Sequence, residues 1–336
     1  MTFPLSYFLF FFSLVLGPII SISSTSWFGA WIGLELNALS FIPLITLSMN
    51  PYYSESALKY FLIQALGSAM LIMSSFLFTS LLKLASIMLF LALLLKLGSA
   101  PFHFWFPQVM EGLGWPQAFL LMTIQKLAPM ILLSYLIASS LVIKMTLLAA
   151  IISAMVGALG GLNVTYLRKI IAFSSINHMS WMLAALSIGD SFWLFYFLIY
   201  SLIVLSVTTT FHSLQTFTLS DLIQSDYSSP YNAALISMNF LSLAGLPPLT
   251  GFIPKWFTIQ IMVNLNLFIP LFFLLASALI TLYFYLRIIV SFLIMYNPSM
   301  SFNIKSKSLT ISSPTFTMSL TLNFLGLLLP VYFFIV

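Results

Sequence analysis

Apolar residues in this chain come in long runs, not in the alternation of a half-buried strand. The stretch PLSYFLFFFSLVLGPIISI near the start is typical; a run of roughly 20 apolar residues is what one helix needs to cross a bilayer. The runs and the polar clusters between them predict eleven crossings, near residues 4–22, 26–48, 55–79, 82–110, 115–138, 142–164, 167–187, 190–214, 231–263, 268–296 and 315–336. The fourth and ninth are long and interrupted. Most connections are short, and the two wettest are SLQTFTLSDLIQSDYSSP and NPSMSFNIKSKSLTISSP. The prediction is an all-α polytopic membrane protein, one transmembrane domain over residues 1–336.

Composition removes the soluble alternative. The chain is 61% hydrophobic and 5% charged, with a mean hydropathy of +1.12, whereas soluble domains carry about 25% charged residues. Eleven Lys and Arg against six Asp and Glu give +5. They are too sparse for nucleic acid and read instead as determinants of orientation. Basic residues follow the second crossing (Lys59), the sixth (Arg168, Lys169) and the tenth (Lys305, Lys307). All three loops share a face with the N-terminus, so that face is expected to be cytoplasmic or its organellar equivalent, with the C-terminus opposite. No basic residue precedes Lys59. The first apolar stretch is therefore expected to be a retained membrane helix, not a signal or transit peptide.

Cysteine is absent, which excludes disulfides, iron–sulfur ligation and thiolate zinc sites. His103, His178 and His212 form no HxxH or HxxxH pair. The chain is expected to hold no metal and no redox centre of its own.

The interruptions carry a repeat. GSAPFHFWFP (98–107) and GLPPLTGFIP (245–254) both read G-x-x-P-x5-P. Each falls in the fourth helix of a set of five, so residues 4–138 and 142–296 are expected to form two inverted repeats, followed by a C-terminal helix over 315–336. Paired broken helices in inverted repeats point to an ion pathway near the membrane midplane. Proline also leaves the carbonyl four residues earlier without its donor: Leu97 for Pro101, Ala244 for Pro248, Thr250 for Pro254 and Gln125 for Pro129. In hydrocarbon such carbonyls must meet protein, water or an ion. A lysine lies beside each break, Lys96 and Lys255, and is expected to donate to them.

Glu35, Lys96, Lys126 and Lys255 fall near predicted midplanes. A charge at such a place costs about 2.5–3.5 kcal/mol on insertion scales and is usually functional. A lysine in a low dielectric also exchanges its proton more readily than one at a surface. The plain alternative for each is a salt bridge between helices. His178, with Ser174 one turn earlier, reads as a proton relay or as a polar helix contact. His103, just past Pro101, reads as a relay or an interfacial hydrogen bond. Lys59 either snorkels to the headgroups or pairs with Glu35; at roughly 7 Å and an effective dielectric near 20 that pair is worth about 2.4 kcal/mol. Arg287 and His212 read as anchors as readily as relays. Lys83, Glu111, Lys144 and Asp190 read as helix-end or loop charges, as do the loop cations above. Gly157-x3-Gly161 reads as a close helix contact.

At these residues a resemblance appears. GLPPLTGFIPKW, KLGSAPFHFWFPQV, QKLAPM, GLELNALSFIP and SSINHMSWM closely resemble segments of the subunit 2 family of mitochondrial NADH:ubiquinone oxidoreductase, respiratory complex I. The likeness runs from about Glu35 to Arg287. That family is homologous to the subunits of multi-subunit Na+/H+ antiporters. The resemblance implies a proton-translocating subunit of the multi-pass mitochondrial inner membrane, with its N-terminus on the matrix side and its C-terminus on the intermembrane-space side. It implies the animal short form, which lacks the first helices of the family's core. The family's glutamate matches Glu35, its central lysines Lys96 and Lys126, and the lysine of its second broken helix Lys255. Its lysine after the glutamate matches Lys59, and the histidine of its first broken helix matches His103. No cofactor is implied for this chain: NADH, FMN, iron–sulfur clusters and ubiquinone belong to other subunits. The implied partners are other complex I membrane subunits, further antiporter-like ones among them, together with membrane lipids. A free-standing cation/proton antiporter and a non-pumping scaffold are the alternatives.

Overall fold

The computed structural model describes residues 5–46, 50–78, 80–137, 139–224, 230–295 and 313–324. Among them every extended element is a helix, and the one β-type pairing is an isolated bridge between Tyr166 and Thr218. Chain order is α1 (Leu5–Ser23), α2 (Trp27–Ile45), α3 (Pro51–Leu77), α4 (Leu82–Leu97), α5 (Trp105–Gly112), α6 (Trp115–Met122), α7 (Ile124–Leu136) and α8 (Ser140–Gly160). Then follow α9 (Leu167–Leu186), α10 (Asp190–Leu214), α11 (Leu219–Gln224), α12 (Pro230–Ala244), α13 (Phe252–Asn264), α14 (Phe268–Met295) and α15 (Ser313–Phe324).

Seven helical stretches among the described residues are long and apolar enough to span a bilayer: Ser6–Ser23, Trp27–Ile45, Pro51–Leu77, Trp115–Leu136, Ser140–Gly160, Asp190–Leu214 and Phe268–Val290. The predicted fourth and ninth crossings are each two shorter helices, α4 with α5 and α12 with α13. The predicted seventh is α9, whose Ser174, Ser175, Asn177, His178 and Ser180 dilute its hydropathy. The eleventh is described only over α15, and Asp226, Lys305 and Lys307 lie outside the described residues.

The chain forms two compact units, Met1–Ser153 and Ala154–Val336. In the first, α1 packs on α2 and α7, α3 packs on α2, α4 and α5, and α4 packs on α7. Glycine sets the closest approach there: a Cβ on Gly33 of α2 would stand 2.5 Å from the Ser21 nitrogen and 2.6 Å from the Gly17 carbonyl of α1. In the second unit α12 lies against α10, α14 and α15, while α9 and α13 pack on both α10 and α14. The expected glycine contact is present. A Cβ on Gly157 would reach the Asn177 nitrogen of α9 at 2.7 Å, and one on Gly161 would meet the Phe284 ring at 2.8 Å.

Polarity is arranged inside out. Phe8, Phe12, Phe76, Ile269, Phe272 and Leu279 are exposed, whereas Ser21, Ser74, Ser153, Thr210 and Ser277 are fully buried. Buried hydroxyls return a hydrogen bond to their own helix, as Ser153 does to Ala150 at 3.0 Å and Ser277 to Leu274 at 2.7 Å. That satisfies them without a partner helix.

Candidate functional site

The two breaks are built alike. α4 ends at Gly98 (φ 68°) and α12 at Gly245 (φ 80°), left-handed conformations that glycine adopts without a Cβ penalty. Each glycine is followed by an amide that reaches back five residues, Ser99 to the Leu94 carbonyl at 3.3 Å and Leu246 to the Leu241 carbonyl at 3.2 Å. This is the Schellman closure of a helix C-terminus. Both Ala100–Pro101 and Pro247–Pro248 are cis.

What the breaks do with their free carbonyls differs. At the second, Lys255 Nζ donates to the Ala244 carbonyl at 2.7 Å and to that of Leu243 at 3.4 Å. The lysine occupies the position that Pro248 leaves empty. Its stem runs over Gly245, where a Cβ would stand 2.8 Å from Lys255 Cδ. The Thr250 carbonyl is taken by the Ile253 amide at 3.3 Å, so Pro254 leaves no free acceptor there, a correction to the expectation. At the first break, by contrast, side chains other than the lysine donate. Trp105 Nε1 donates to the Leu95 carbonyl at 3.1 Å, and Gln64 Nε2 to that of Lys96 at 3.4 Å.

Lys96 instead turns toward α3, its stem over Gly67, where a Cβ would meet Lys96 Cγ at 3.0 Å. Its Nζ is buried and has no hydrogen-bond partner among the described residues. Glu35 lies in an open cleft of ≈ 430 Å³ lined by Phe10, Ser13, Trp31, Leu39 and Ser40, and its Oε2 also lacks a partner among the described residues. Lys59 is not the counter-ion. It is 40% exposed and pairs with Glu55 one turn earlier at 2.6 Å. The snorkelling reading fits Lys59, and no Glu35–Lys59 ion pair forms among the described residues.

Lys126 Nζ sits over the Phe106 ring, 4.8 Å from its centroid, a cation–π contact that partly replaces water. Beside it runs a side-chain chain absent from the sequence reading: Tyr60 donates to Gln125 Oε1 at 3.0 Å, and Gln125 donates to Asn37 Oδ1 at 2.9 Å. It joins α3, α7 and α2. The signal was present, since Asn37 and Gln125 lie in apolar runs beside Glu35 and Lys126, and an amide in hydrocarbon needs partners. His103 lies in the first break, its ring 4.1 Å from that of Phe104, with a buried Nδ1 that has no partner among the described residues.

In the second unit His178 Nδ1 and the Tyr196 hydroxyl are 3.0 Å apart, and the Tyr200 ring centroid is 5.0 Å from the imidazole. On the same helix Asn177 accepts from Ser277 at 3.0 Å and donates to Thr281 at 3.4 Å, tying α9 to α14. Arg287 is an anchor: its guanidinium donates to the Leu162 and Val164 carbonyls at 2.8 and 3.2 Å. Thus Lys96, Lys126 and Lys255 are 5%, 2% and 6% exposed. Three lysines are enclosed within the helices, and among the described residues no cluster of His, Asp or Glu is suited to a metal.

Comparison with known proteins agrees with this construction. The model of the NADH:quinone oxidoreductase/Mrp antiporter transmembrane family matches residues 24–281. NADH-ubiquinone oxidoreductase chain 2 of Anopheles gambiae is 42% identical over 328 residues, covering 95% of this chain and 94% of that one. A chain of respiratory complex I from Thermus thermophilus superposes with a TM-score of 0.83 at 26% identity, over 96% of this chain and 78% of that one. A chain of the Mrp complex from Dietzia sp. DQ12-45-1b shares the fold, with a TM-score of 0.76 at 14% identity over 94% of this chain and 74% of that one. The chain belongs to the NADH:quinone oxidoreductase/Mrp antiporter membrane family.

Proposed function

We propose that this chain is an antiporter-like membrane subunit of an NADH:ubiquinone oxidoreductase, the role its Anopheles gambiae relative is named for. It translocates protons across the mitochondrial inner membrane while other subunits carry NADH oxidation and ubiquinone reduction. The observation that carries this reading is three almost wholly buried lysines, Lys126 within the Trp115–Leu136 span and Lys96 and Lys255 beside the two helix breaks. Lys96 with Glu35, and Lys126, serve the first unit; Lys255 and His178 serve the second. His103, in the first break, is read as a relay residue of lesser reach. Lys59, exposed and paired with Glu55, is an orientation charge in this reading. The shared cap and spacing of the two breaks support treating residues 4–138 and 142–296 as two repeats of one plan. The cations Arg168 and Lys169 support a matrix-side N-terminus. The chain's partners are other membrane subunits of the complex, and its redox cofactors reside in different chains.

Lys255→Met in the assembled complex tests the reading. Proton translocation per NADH oxidised should fall while assembly is retained; normal pumping would remove Lys255 from the mechanism. A scaffold predicts no change, and a free-standing antiporter predicts that the chain purifies alone in mild detergent.

A further inference from the structure

The C-terminal helix α15 reaches the second break through one residue. Asn323 is 1% exposed and donates Nδ2 to Asn239 Oδ1 of α12 at 2.6 Å. Asn239 passes the ladder on, donating to Thr210 Oγ1 of α10 at 3.2 Å. The Asn323 backbone carbonyl accepts from the Thr250 amide, inside the break, at 3.2 Å. This arrangement uses the amide donors and leaves two side-chain oxygens over. Asn323 Oδ1 and Thr250 Oγ1 are both buried, and neither has a partner among the described residues. They belong to residues already joined through their backbones.

The chemistry of the two oxygens narrows what they take. Lys255 is committed to the Ala244 and Leu243 carbonyls. Two neutral oxygens are too few for a hard divalent cation, which takes six or more. A buried water, by contrast, needs two to four polar partners and carries two protons to give. The Thr250 hydroxyl both donates and accepts, whereas the Asn323 oxygen only accepts. A water in reach of both gives a proton to the Asn323 oxygen and either gives to or accepts from the Thr250 hydroxyl.

We propose that Asn323 and Thr250 bind a single water at the second break, and that this water is a station of the proton route served by Lys255. The second half of the statement rests on the proton-translocation reading; the first half does not. The C-terminal helix is then a wall of the site and not a mere anchor.

The experiment is a map of the intact complex at a resolution that shows ordered water, paired with variants. Density about 2.5–3.0 Å from both oxygens is expected. A dry site, or direct pairing of the two side chains, overturns the binding site. Thr250→Val keeps the side-chain shape without the hydroxyl. It should abolish the density and slow proton-coupled turnover about fivefold, the factor set by one lost hydrogen bond, and Thr250→Ser should restore both. Loss of the density with full turnover in an assembled complex overturns the station while leaving the site. Normal pumping in Lys255→Met also overturns the station and leaves the water in place, so the two failures are distinguishable.

Discussion

At the residue scale, Lys96 depends on an absence. Its stem fills the groove left by Gly67, where a Cβ would lie 3.0 Å from Lys96 Cγ and 3.2 Å from Leu95 Cδ2. Gly67→Val overfills that groove, at a cost of about 1–3 kcal/mol, and displaces the ammonium. The purified complex should lose thermal stability and pump less; unchanged values for both would show that α4 simply yields. Glu35 and Lys96 each carry a buried polar atom without a partner among the described residues, while Lys59 is held by Glu55, and a double-mutant cycle distinguishes the pairs. Glu35→Gln with Lys96→Met should be non-additive in pumping, and Glu35→Gln with Lys59→Met additive. The opposite pattern would restore Lys59 as the partner. The difference between Lys255 and Lys59 shows what was legible. The Ala244 carbonyl followed from Pro248 by counting four residues back, a rule local to one helix. The Glu35 partner required knowing which way α2, α3 and α4 face one another. Helices apolar on nearly every side carry little amphipathic signal to fix that rotation.

Element by element, the break is the unit that matters. An interrupted helix ends with carbonyls pointing at the interior, the negative pole of its macrodipole. Lys96 lies in the last turn of α4. Lys255 belongs to the first turn of α13 yet returns its ammonium to the end of α12. Both lysines therefore belong to a break, one preceding it and the other following, and Lys255 sets its ammonium on the C-terminal carbonyls. The short α11 illustrates capping outside the membrane. Thr218 and Asp221 form a reciprocal box, with the Thr218 amide on Asp221 Oδ2 at 2.9 Å and the Asp221 amide on Thr218 Oγ1 at 3.2 Å. Burial alone would raise the Asp221 carboxyl, but hydrogen bonds from Thr218 and Phe217 bring it below the ordinary 3.8. A depressed carboxylate stabilises the fold above its unfolded pKa and loses that contribution as pH falls through the lower, folded value. Asp221→Asn should thus open the 215–221 loop to protease at neutral pH, where the parent loop resists, by about 1 kcal/mol of capping energy. Equal cleavage in both would show that the Tyr166–Thr218 bridge alone holds the loop.

For the whole molecule, the sign of polarity is reversed relative to a soluble domain, and position decides what a charge costs. Leu279 is 70% exposed on α14, at the middle of the Phe268–Val290 span. Leu279→Arg should cost about 2.5–3.5 kcal/mol of insertion and reduce the assembled complex. Undiminished assembly would mean that another protein chain covers this face. The helical class and the two interruptions were readable because hydropathy and proline act along the chain. The ladders Tyr60–Gln125–Asn37 and Thr210–Asn239–Asn323 were not, since each joins residues far apart in sequence. The placement of Lys126 has an electrical consequence. It lies at the middle of the Trp115–Leu136 span, so a proton arriving there from either side has crossed about half of the transmembrane voltage. A full crossing is worth about 2.3 kcal/mol per 100 mV, so half is about 1.2 kcal/mol, roughly a sevenfold change in occupancy. On the function proposed above, charging the membrane therefore alters how often Lys126 holds its proton, and the gradient feeds back on a group proposed to build it.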